Sequence, residues 1–149
     1  MQAELNSITQ FFISSKKFKN FVSSRKSSKS RMMLPSDINA GECYRWTYFV
    51  SLCIENCQLF RTIGDTYTHA FISIEDKFYD AECLGGVIDW KQLPFFILTS
   101  KRPWCQEWED DAIIKDEKDE FIKYWKFDPV YVEERVKEYE QSESLPKIN

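Results

Sequence analysis

The sequence predicts a single α+β domain in which a small antiparallel sheet packs on a buried helix. Residues 68–82 alternate between two faces around Glu75-Asp76, as expected for two strands joined by a tight turn. Residues 43–60 are apolar on nearly every side, which is typical of a buried helix. Amphipathic segments near both ends of the chain have the spacing of helices that flank such a core.

The first predicted element is an amphipathic helix over residues 3–22. Its apolar side chains recur near helical spacing, at Leu5, Ile8, Phe11, Phe12, Phe18 and Val22. A polar linker rich in Ser and Lys follows over residues 23–31, and residues 34–41 are expected to form a loop. The buried helix then begins at Cys43 and, on its apolar pattern, extends to Phe60.

The hairpin and the segment after it come next. Thr68–Ile74 and Lys77–Glu82 are the two predicted strands, and Gly85-Gly86 ends the hairpin. The residues from Asp89 to Leu93 precede a proline and predict a short helical turn, while residues 95–99 are expected to form a third strand.

The pattern becomes helical again beyond Trp104. Ile114, Phe121 and Trp125 keep helical spacing and predict one helix. Asp128-Pro129 predicts the start of the last helix, because an acid caps the helix and Pro suits its first position.

Composition excludes several classes of protein. The chain has 149 residues, of which 43% are hydrophobic and 16% aromatic, so it can bury enough apolar area to offset the entropy of ordering. Four Gly and five Pro exclude a collagen-like chain. No apolar run approaches the roughly 18 residues that a membrane-spanning helix needs.

Charge is distributed unevenly along the chain. Residues 1–31 hold seven of the chain's 20 basic residues and one of its 24 acidic residues. Residues 32–149 therefore hold 13 basic and 23 acidic residues. We therefore divide the chain into a basic amphipathic segment over residues 1–31 and a single domain over residues 32–149. The first helix either lies on a membrane surface or packs on its own domain. Residues 107–143 carry 14 acids against six basic residues, which is the wrong sign for binding nucleic acid.

The cysteine content points to a reducing compartment. Five cysteines are an odd number, and the start of the chain lacks the apolar region and cleavage site of a secretory signal, so we expect free thiols and a cytoplasmic location. Cys53 and Cys57 share a predicted helix face at a spacing that metal ligands use, but a second ligand pair is missing. Neither a metal nor a cofactor is expected.

Cys43 is the first candidate for chemistry. It follows Gly41-Glu42 at the predicted start of the buried helix, where free N–H groups and the positive end of the helix dipole favour a thiolate. The thiolate is the nucleophilic form of cysteine, and the same N–H groups can stabilise an oxyanion. A cysteine in an apolar segment is also a common small core residue, so the position alone leaves both readings open.

His69 is the only histidine in the chain and a natural proton-transfer partner for a thiol. With Glu75-Asp76 as the turn, Phe71 pairs with Asp80, and His69 pairs with Glu82. Alternation then places His69, Asp80 and Glu82 on one face, with Asp80 as the diagonal neighbour of His69. Either carboxylate can orient the imidazole in this arrangement.

The order of these residues resembles that of the papain-like superfamily of cysteine hydrolases. The resemblance is carried by Gly41-Glu42-Cys43 and by Thr68–Glu82, covers about residues 37–82, and is closest to the small transglutaminase-like and NlpC/P60-type enzymes. It implies that Cys43 is the nucleophile, His69 the general base and acid, and Asp80 the orienting residue. No glutamine occurs in residues 11–42, shortly before the cysteine, so Asn39 or the Cys43 backbone N–H would stabilise the oxyanion.

Two functions from different classes follow. The first is acyl transfer, as a thiol protease, amidase or transglutaminase-like enzyme that acts on a peptide or another amide-containing substrate. The second is a non-catalytic interaction or inhibitor protein, whose acidic C-terminal helices bind a basic partner or block a nucleic-acid site. Only the first requires the Cys43, His69 and Asp80 side chains to meet.

Overall fold

The structure is a computed structural model that describes residues 1–14, 34–39, 41–64, 67–101 and 107–144. It confirms the α+β class, with helices packed against a five-stranded sheet. The helices are α1 (Gln2–Ile13), α2 (Pro35–Asn39), α3 (Cys43–Cys53), α4 (Pro94–Ser100), α5 (Lys118–Trp125) and α6 (Pro129–Ser144), with a 3-10 turn at Trp90–Gln92. The strands are β1 (Cys57–Thr62), β2 (Ala70–Ile74), β3 (Lys77–Asp80), β4 (Cys83–Val87) and β5 (Ile113–Asp116).

The strands form one antiparallel sheet in the order β4-β3-β2-β1-β5. In the β2–β3 hairpin Ile74 pairs with Lys77 and Ile72 with Tyr79, which confirms the predicted register. The turn between them uses a left-handed backbone at Glu75, whose φ is 57°. Register decides which side chains share a face, so it also fixes which residues can meet His69.

Two clusters of buried side chains lie on the sheet. The larger cluster receives buried side chains from α1, α3, β2 and α6, among them Leu5, Ile8, Phe12, Trp46, Phe49, Ala70, Ile72 and Val132. The aromatic cluster consists of buried Phe71, Trp90, Leu93 and Phe96, with Phe60, Phe78, Phe95 and Trp108 packed against them. Because successive side chains of a strand point to opposite faces, β2 contributes Ile72 to the larger cluster and Phe71 to the aromatic cluster.

Helix α1 packs on the domain through its apolar stripe. Leu5, Ile8 and Phe12 are buried in the larger cluster, and the Nε1–H of Trp46 donates a hydrogen bond of 3.0 Å to Thr9 Oγ1. The predicted extension of this helix to residue 22, the linker over residues 23–31 and the boundary at residue 31 lie outside the described residues.

The prediction of one buried helix from Cys43 to Phe60 is wrong. Helix α3 ends at Cys53, the chain turns through Asn56 with a φ of 61°, and β1 begins at Cys57. Strand β1 is paired on both edges and packs against both clusters, so its apolar side chains point in both directions. Such a strand has the same continuous apolar pattern as a buried helix, and periodicity does not separate the two.

Other elements also differ from the prediction. Gly85-Gly86 do not end the hairpin, since they lie inside strand β4. Residues 95–99 form part of helix α4 instead of a strand, because Pro94 occupies the first helical turn with its φ preset for a helix. Ile114 does not share a helix with Phe121 and Trp125. It lies in the edge strand β5, where its side chain is 41% exposed, and α5 begins only at Lys118.

Several local signals are confirmed. The short helical turn predicted over residues 89–93 is the 3-10 turn, and Asp89 caps it by accepting a hydrogen bond from the Lys91 N–H. Helix α6 begins at Pro129, and Asp128 accepts a hydrogen bond of 3.0 Å from the Val130 N–H.

In place of the loop expected over residues 34–41 the chain forms the short helix α2. No described helix is long and apolar enough to span a bilayer.

Candidate active site

The structure places Cys43 as the first residue of helix α3, with its side chain only 4% exposed. Gly41 approaches the helix with a φ of 141°, a conformation that a side chain disfavours. The Glu42 carbonyl oxygen accepts hydrogen bonds from the N–H groups of Arg45 and Trp46, at 3.1 and 3.2 Å. No described residue accepts a hydrogen bond from the Cys43 N–H, which leaves this donor at the positive end of the helix.

His69 is held at the entrance to β2 by its own backbone. Its N–H donates to Thr62 Oγ1 at 2.9 Å, and its carbonyl oxygen accepts from the Thr62 N–H at 3.0 Å. This reciprocal pair extends the β1–β2 ladder by one position beyond Ala70 and fixes the direction of the imidazole.

The imidazole and the Asp80 carboxyl group form a buried pair. The Nε2 atom of His69 lies 3.0 Å from Asp80 Oδ2, and both side chains are fully buried. The other carboxyl oxygen, Asp80 Oδ1, accepts a hydrogen bond of 2.9 Å from the Glu82 N–H. Both oxygens of Asp80 are thus engaged, one by the imidazole and one by the backbone, and this restricts the rotation of the carboxyl group.

Cys43 and Asp80 both raise the pKa of the His69 imidazole. Burial lowers the pKa of His69, but side-chain hydrogen bonding to Asp80 and to Cys43 raises it, and the pKa rises from 6.5 to about 9. Since Nε2 is engaged by Asp80, Nδ1 is the ring nitrogen left for Cys43. Nδ1 is buried and lacks a hydrogen bond of good geometry to any described residue. The structure therefore brings Cys43, His69 and Asp80 into one array.

Glu82 and Asn39 lie beside this array but do not belong to it. The Glu82 side chain is exposed, and burial of part of its carboxyl group together with the charge of Asp80 raises its pKa. Hydrogen bonding by Asn39 and the charge of His69 partly offset that rise. Asn39 ends α2, and both polar atoms of its amide are buried without a well-formed hydrogen bond to a described residue. Its amide interacts with the carboxyl group of Glu82, whose pKa it lowers.

Phenylalanine rings from two elements enclose the imidazole. Phe95 of α4 stacks on His69, with ring centroids 4.3 Å apart and an interplanar angle of 12°. Phe96 contacts the imidazole edge at 5.7 Å, and Phe71 of β2 lies 6.1 Å away. The prediction from sequence missed these rings because residues 95–99 were expected to form a strand. The only available signal was Pro94, which starts a helix and so turns two consecutive rings toward the sheet.

The remaining cysteines have a different environment. Cys53, Cys57 and Cys83 are free thiols, like Cys43, and Cys105 lies outside the described residues. Burial raises the pKa of both Cys53 and Cys57 to about 12, which keeps them protonated and makes them poor metal ligands at neutral pH. Within the described ranges, no group of three or more His, Cys, Asp or Glu side chains is arranged to hold a metal ion.

Comparison with known proteins adds no family assignment. No family model, curated protein or solved structure matches the chain. The resemblance to papain-like cysteine hydrolases therefore depends on the order of Cys43, His69 and Asp80, and it stays a prediction. Their spatial arrangement is an independent observation on which a functional proposal can be built.

Proposed function

We propose that the protein is a cysteine-dependent acyl-transfer enzyme of the papain-like type, which hydrolyses a peptide or another amide-containing substrate. One observation carries this proposal. A cysteine at a helix N-terminus, the only histidine of the chain and a buried carboxylate form a single array, although 26 positions separate the first from the second. A cysteine that serves only as a core residue needs neither an imidazole nor a carboxylate beside it.

The first half of the reaction uses the charge state of His69. With a pKa of about 9 the imidazole is protonated at neutral pH, and a neighbouring cation favours the nucleophilic thiolate form of a cysteine. The Sγ thiolate attacks the carbonyl carbon of the substrate and forms a C–S bond. His69 then donates its proton to the leaving amine as the C–N bond breaks, which leaves a thioester on Cys43.

The second half of the reaction releases the acyl group. The neutral imidazole accepts a proton from a water molecule, whose oxygen attacks the thioester carbonyl, and the acid leaves as the thiolate and the imidazolium are restored. An amine in place of water would give transamidation. Throughout both halves Asp80 keeps Nε2 oriented, so that Nδ1 stays directed at Cys43.

We propose two donors for stabilising the oxyanion. The Cys43 N–H has no acceptor among the described residues, and it lies at the positive end of α3. The Asn39 amide is buried and interacts with the Glu82 carboxyl group, and neither of its polar atoms makes a hydrogen bond of good geometry to a described residue. We assign Asn39 and the Cys43 N–H to the oxyanion site and Glu82 to its rim.

Acyl transfer to Cys43 can be tested with p-nitrophenyl acetate, an ester that needs no binding pocket. We expect a burst of p-nitrophenolate and an acetyl group on Cys43, located by mass spectrometry of peptides. The burst is expected to vanish in Cys43→Ala and to persist in Cys53→Ala, which removes a thiol that is protonated at the same pH. His69→Ala should slow the acylation step while leaving the thiol in place.

The controls separate loss of chemistry from loss of folding. Each variant is compared with the wild type by circular dichroism and by its urea midpoint. Acetylation spread evenly over the cysteines, or an equal burst in Cys43→Ala, would refute the proposal. Unfolding of Cys43→Ala would identify Cys43 as a packing residue, and Cys43→Ser then provides the folded variant that lacks the thiol.

A second candidate function is supported by the acidic surface of the C-terminal helices. The exposed side chains of α6 include Glu133, Glu134, Glu138 and Glu140. Such a surface can bind a basic protein partner without any chemistry at Cys43. This function would be favoured if the protein binds polylysine in a salt-sensitive way and loses that binding in the double variant Glu133→Lys, Glu134→Lys. It would also require that Cys43 is not acetylated by p-nitrophenyl acetate. The free thiols support a reducing compartment, and we propose the cytoplasm.

A further inference from the structure

The flat face of Phe95 is the closest aromatic surface to the imidazole of His69. Their centroids are 4.3 Å apart and their planes differ by 12°, which is a parallel stack. Phe71 and Phe96 lie farther from the imidazole, at 6.1 and 5.7 Å, and Phe96 meets it edge-on at 76°. Of the three rings, Phe95 is thus the one that sets the plane in which the imidazole can lie.

Phe95 differs from its neighbours in exposure. Phe71 and Phe96 are fully buried members of the aromatic cluster, whereas Phe95 is only partly buried at the start of α4. The Phe95 ring also packs against Phe96, with ring centroids 5.1 Å apart and an interplanar angle of 87°, and against Trp108, with centroids 6.3 Å apart. Of the stacked pair, His69 is fully buried and Phe95 is the member that is partly exposed.

We propose that Phe95 is a positioning residue for the acyl-transfer reaction, acting through His69. This inference rests on the proposed function and adds a residue that the order of the triad does not contain. The stacked face opposes tilting of the imidazole, which would take Nε2 off Asp80 and Nδ1 away from Cys43. It also covers one face of the imidazole, and the negative face of the ring favours the imidazolium over the neutral imidazole.

Phe60 provides a matched control for Phe95. It is also a partly buried ring packed against the aromatic cluster, and it stacks on Phe71 at 5.6 Å. Among the ring contacts of the described residues, none joins Phe60 to His69. Phe60→Leu and Phe95→Leu therefore both remove an aromatic ring from the same cluster, but only the second removes the face that covers the imidazole. Phe95→Tyr restores that face, with a hydroxyl that can reach solvent.

Because His69 is the only histidine, NMR of the imidazole N–H protons reports on this contact without ambiguity. In the wild type the proton on Nε2 is buried and hydrogen-bonded, so its exchange with water is expected to be slow enough for it to be observed. We expect Phe95→Leu to exchange this proton at least about tenfold faster, through local opening of the site. Phe60→Leu and Phe95→Tyr should exchange it at the wild-type rate.

The same variants are then acetylated with p-nitrophenyl acetate. Phe95→Leu is expected to lower the maximal acylation rate by about tenfold with KM unchanged, since no contact to the ester is lost. Phe95→Tyr should recover most of that rate. A change that reflects only lower stability would occur equally in Phe60→Leu, and urea midpoints are recorded for all variants to show this.

The outcomes separate this inference from the proposed function. Failure of the wild type to be acetylated at Cys43 would refute the proposed function, and the inference with it. Normal acetylation of the wild type with unchanged proton exchange and rate in Phe95→Leu would refute the inference alone. Equal effects of Phe60→Leu and Phe95→Leu would also refute it, because the ring would then serve only the packing of the cluster.

Discussion

Replacing Asp80 by Asn tests the electrostatics of the site with almost no change of shape. The variant keeps one of the two oxygens that accept from Nε2 and from the Glu82 N–H, and it removes the negative charge 3.0 Å from the imidazole. The acceptor lost with the second oxygen lowers stability equally at every pH, so the pH-dependent part of the change reports on the charge. In the wild type, hydrogen bonding and charge raise the pKa of His69 from 6.5 to about 9 in spite of burial. An opposite charge at this distance changes a pKa by about 1–3 pH units, so we expect Asp80→Asn to lower the pKa of His69 by that amount.

The same substitution changes the pH dependence of folding in a defined direction. The pKa of His69 is higher in the folded chain than in the unfolded chain, so proton binding stabilises the fold. The contribution of His69 protonation to the free energy of unfolding is fully present below about pH 6.5 and is lost as the pH rises through about 9. At 1.36 kcal/mol per pH unit it amounts to roughly 3 kcal/mol. The free energy of unfolding of Asp80→Asn should therefore fall farthest below that of the wild type near pH 6. The gap between the two free energies should become smaller toward pH 10.

The assay is an NMR titration of the single imidazole, combined with urea unfolding at several pH values. Glu82→Gln is the control, since Glu82 is exposed and its charge is screened by solvent, and we expect it to move the pKa of His69 by less than about half a pH unit. A midpoint for His69 in Asp80→Asn at or above the wild-type value would show that the charge of Asp80 does not raise the pKa of His69. A larger shift in Glu82→Gln than in Asp80→Asn would show that Glu82 is the orienting carboxylate.

Three further outcomes follow from the structure. Cys43→Ala should lower the pKa of His69, because the hydrogen bond and the charge of Cys43 both raise it; an unchanged NMR midpoint would mean that the two side chains do not interact. His69→Ala should reduce acetylation of Cys43 by p-nitrophenyl acetate more than Glu82→Ala does, and equal losses would contradict the assignment of Glu82 to the rim. Gly86→Ala should destabilise the fold by more than about 1 kcal/mol in urea, since Gly86 has a φ of 80° and a Cβ there would lie 2.5 Å from Tyr79 Cε2. A wild-type urea midpoint in Gly86→Ala would contradict the packing of β4 on β3.

The hairpin that carries His69 and Asp80 was predictable because its information is local. The turn at Glu75-Asp76 and the alternation on either side of it fix the register, and the register alone makes Asp80 the diagonal neighbour of His69. Which of Asp80 and Glu82 contacts the imidazole was not decided by alternation. Burial decides it, since Asp80 is fully buried and Glu82 is exposed.

Elements that depend on tertiary context were not predictable in the same way. The change from α3 to β1 between Cys53 and Cys57 falls within a continuous apolar run, because β1 is covered on both faces. The stack of Phe95 on His69 joins two segments whose approach depends on how α4 packs against the sheet. The sequence pattern pointed to a strand for residues 95–99, and only Pro94 argued for a helix.

The pairing of Cys43 with His69 as thiolate and imidazolium can be measured directly by the rate at which iodoacetamide alkylates each cysteine of the folded protein. The rates are followed by mass spectrometry as a function of pH. We expect Cys43 to react much faster than the other four cysteines below pH 7, and His69→Ala to remove that advantage. A Cys43 that is inert, or that titrates like a free thiol near about pH 8.5, would contradict this pairing.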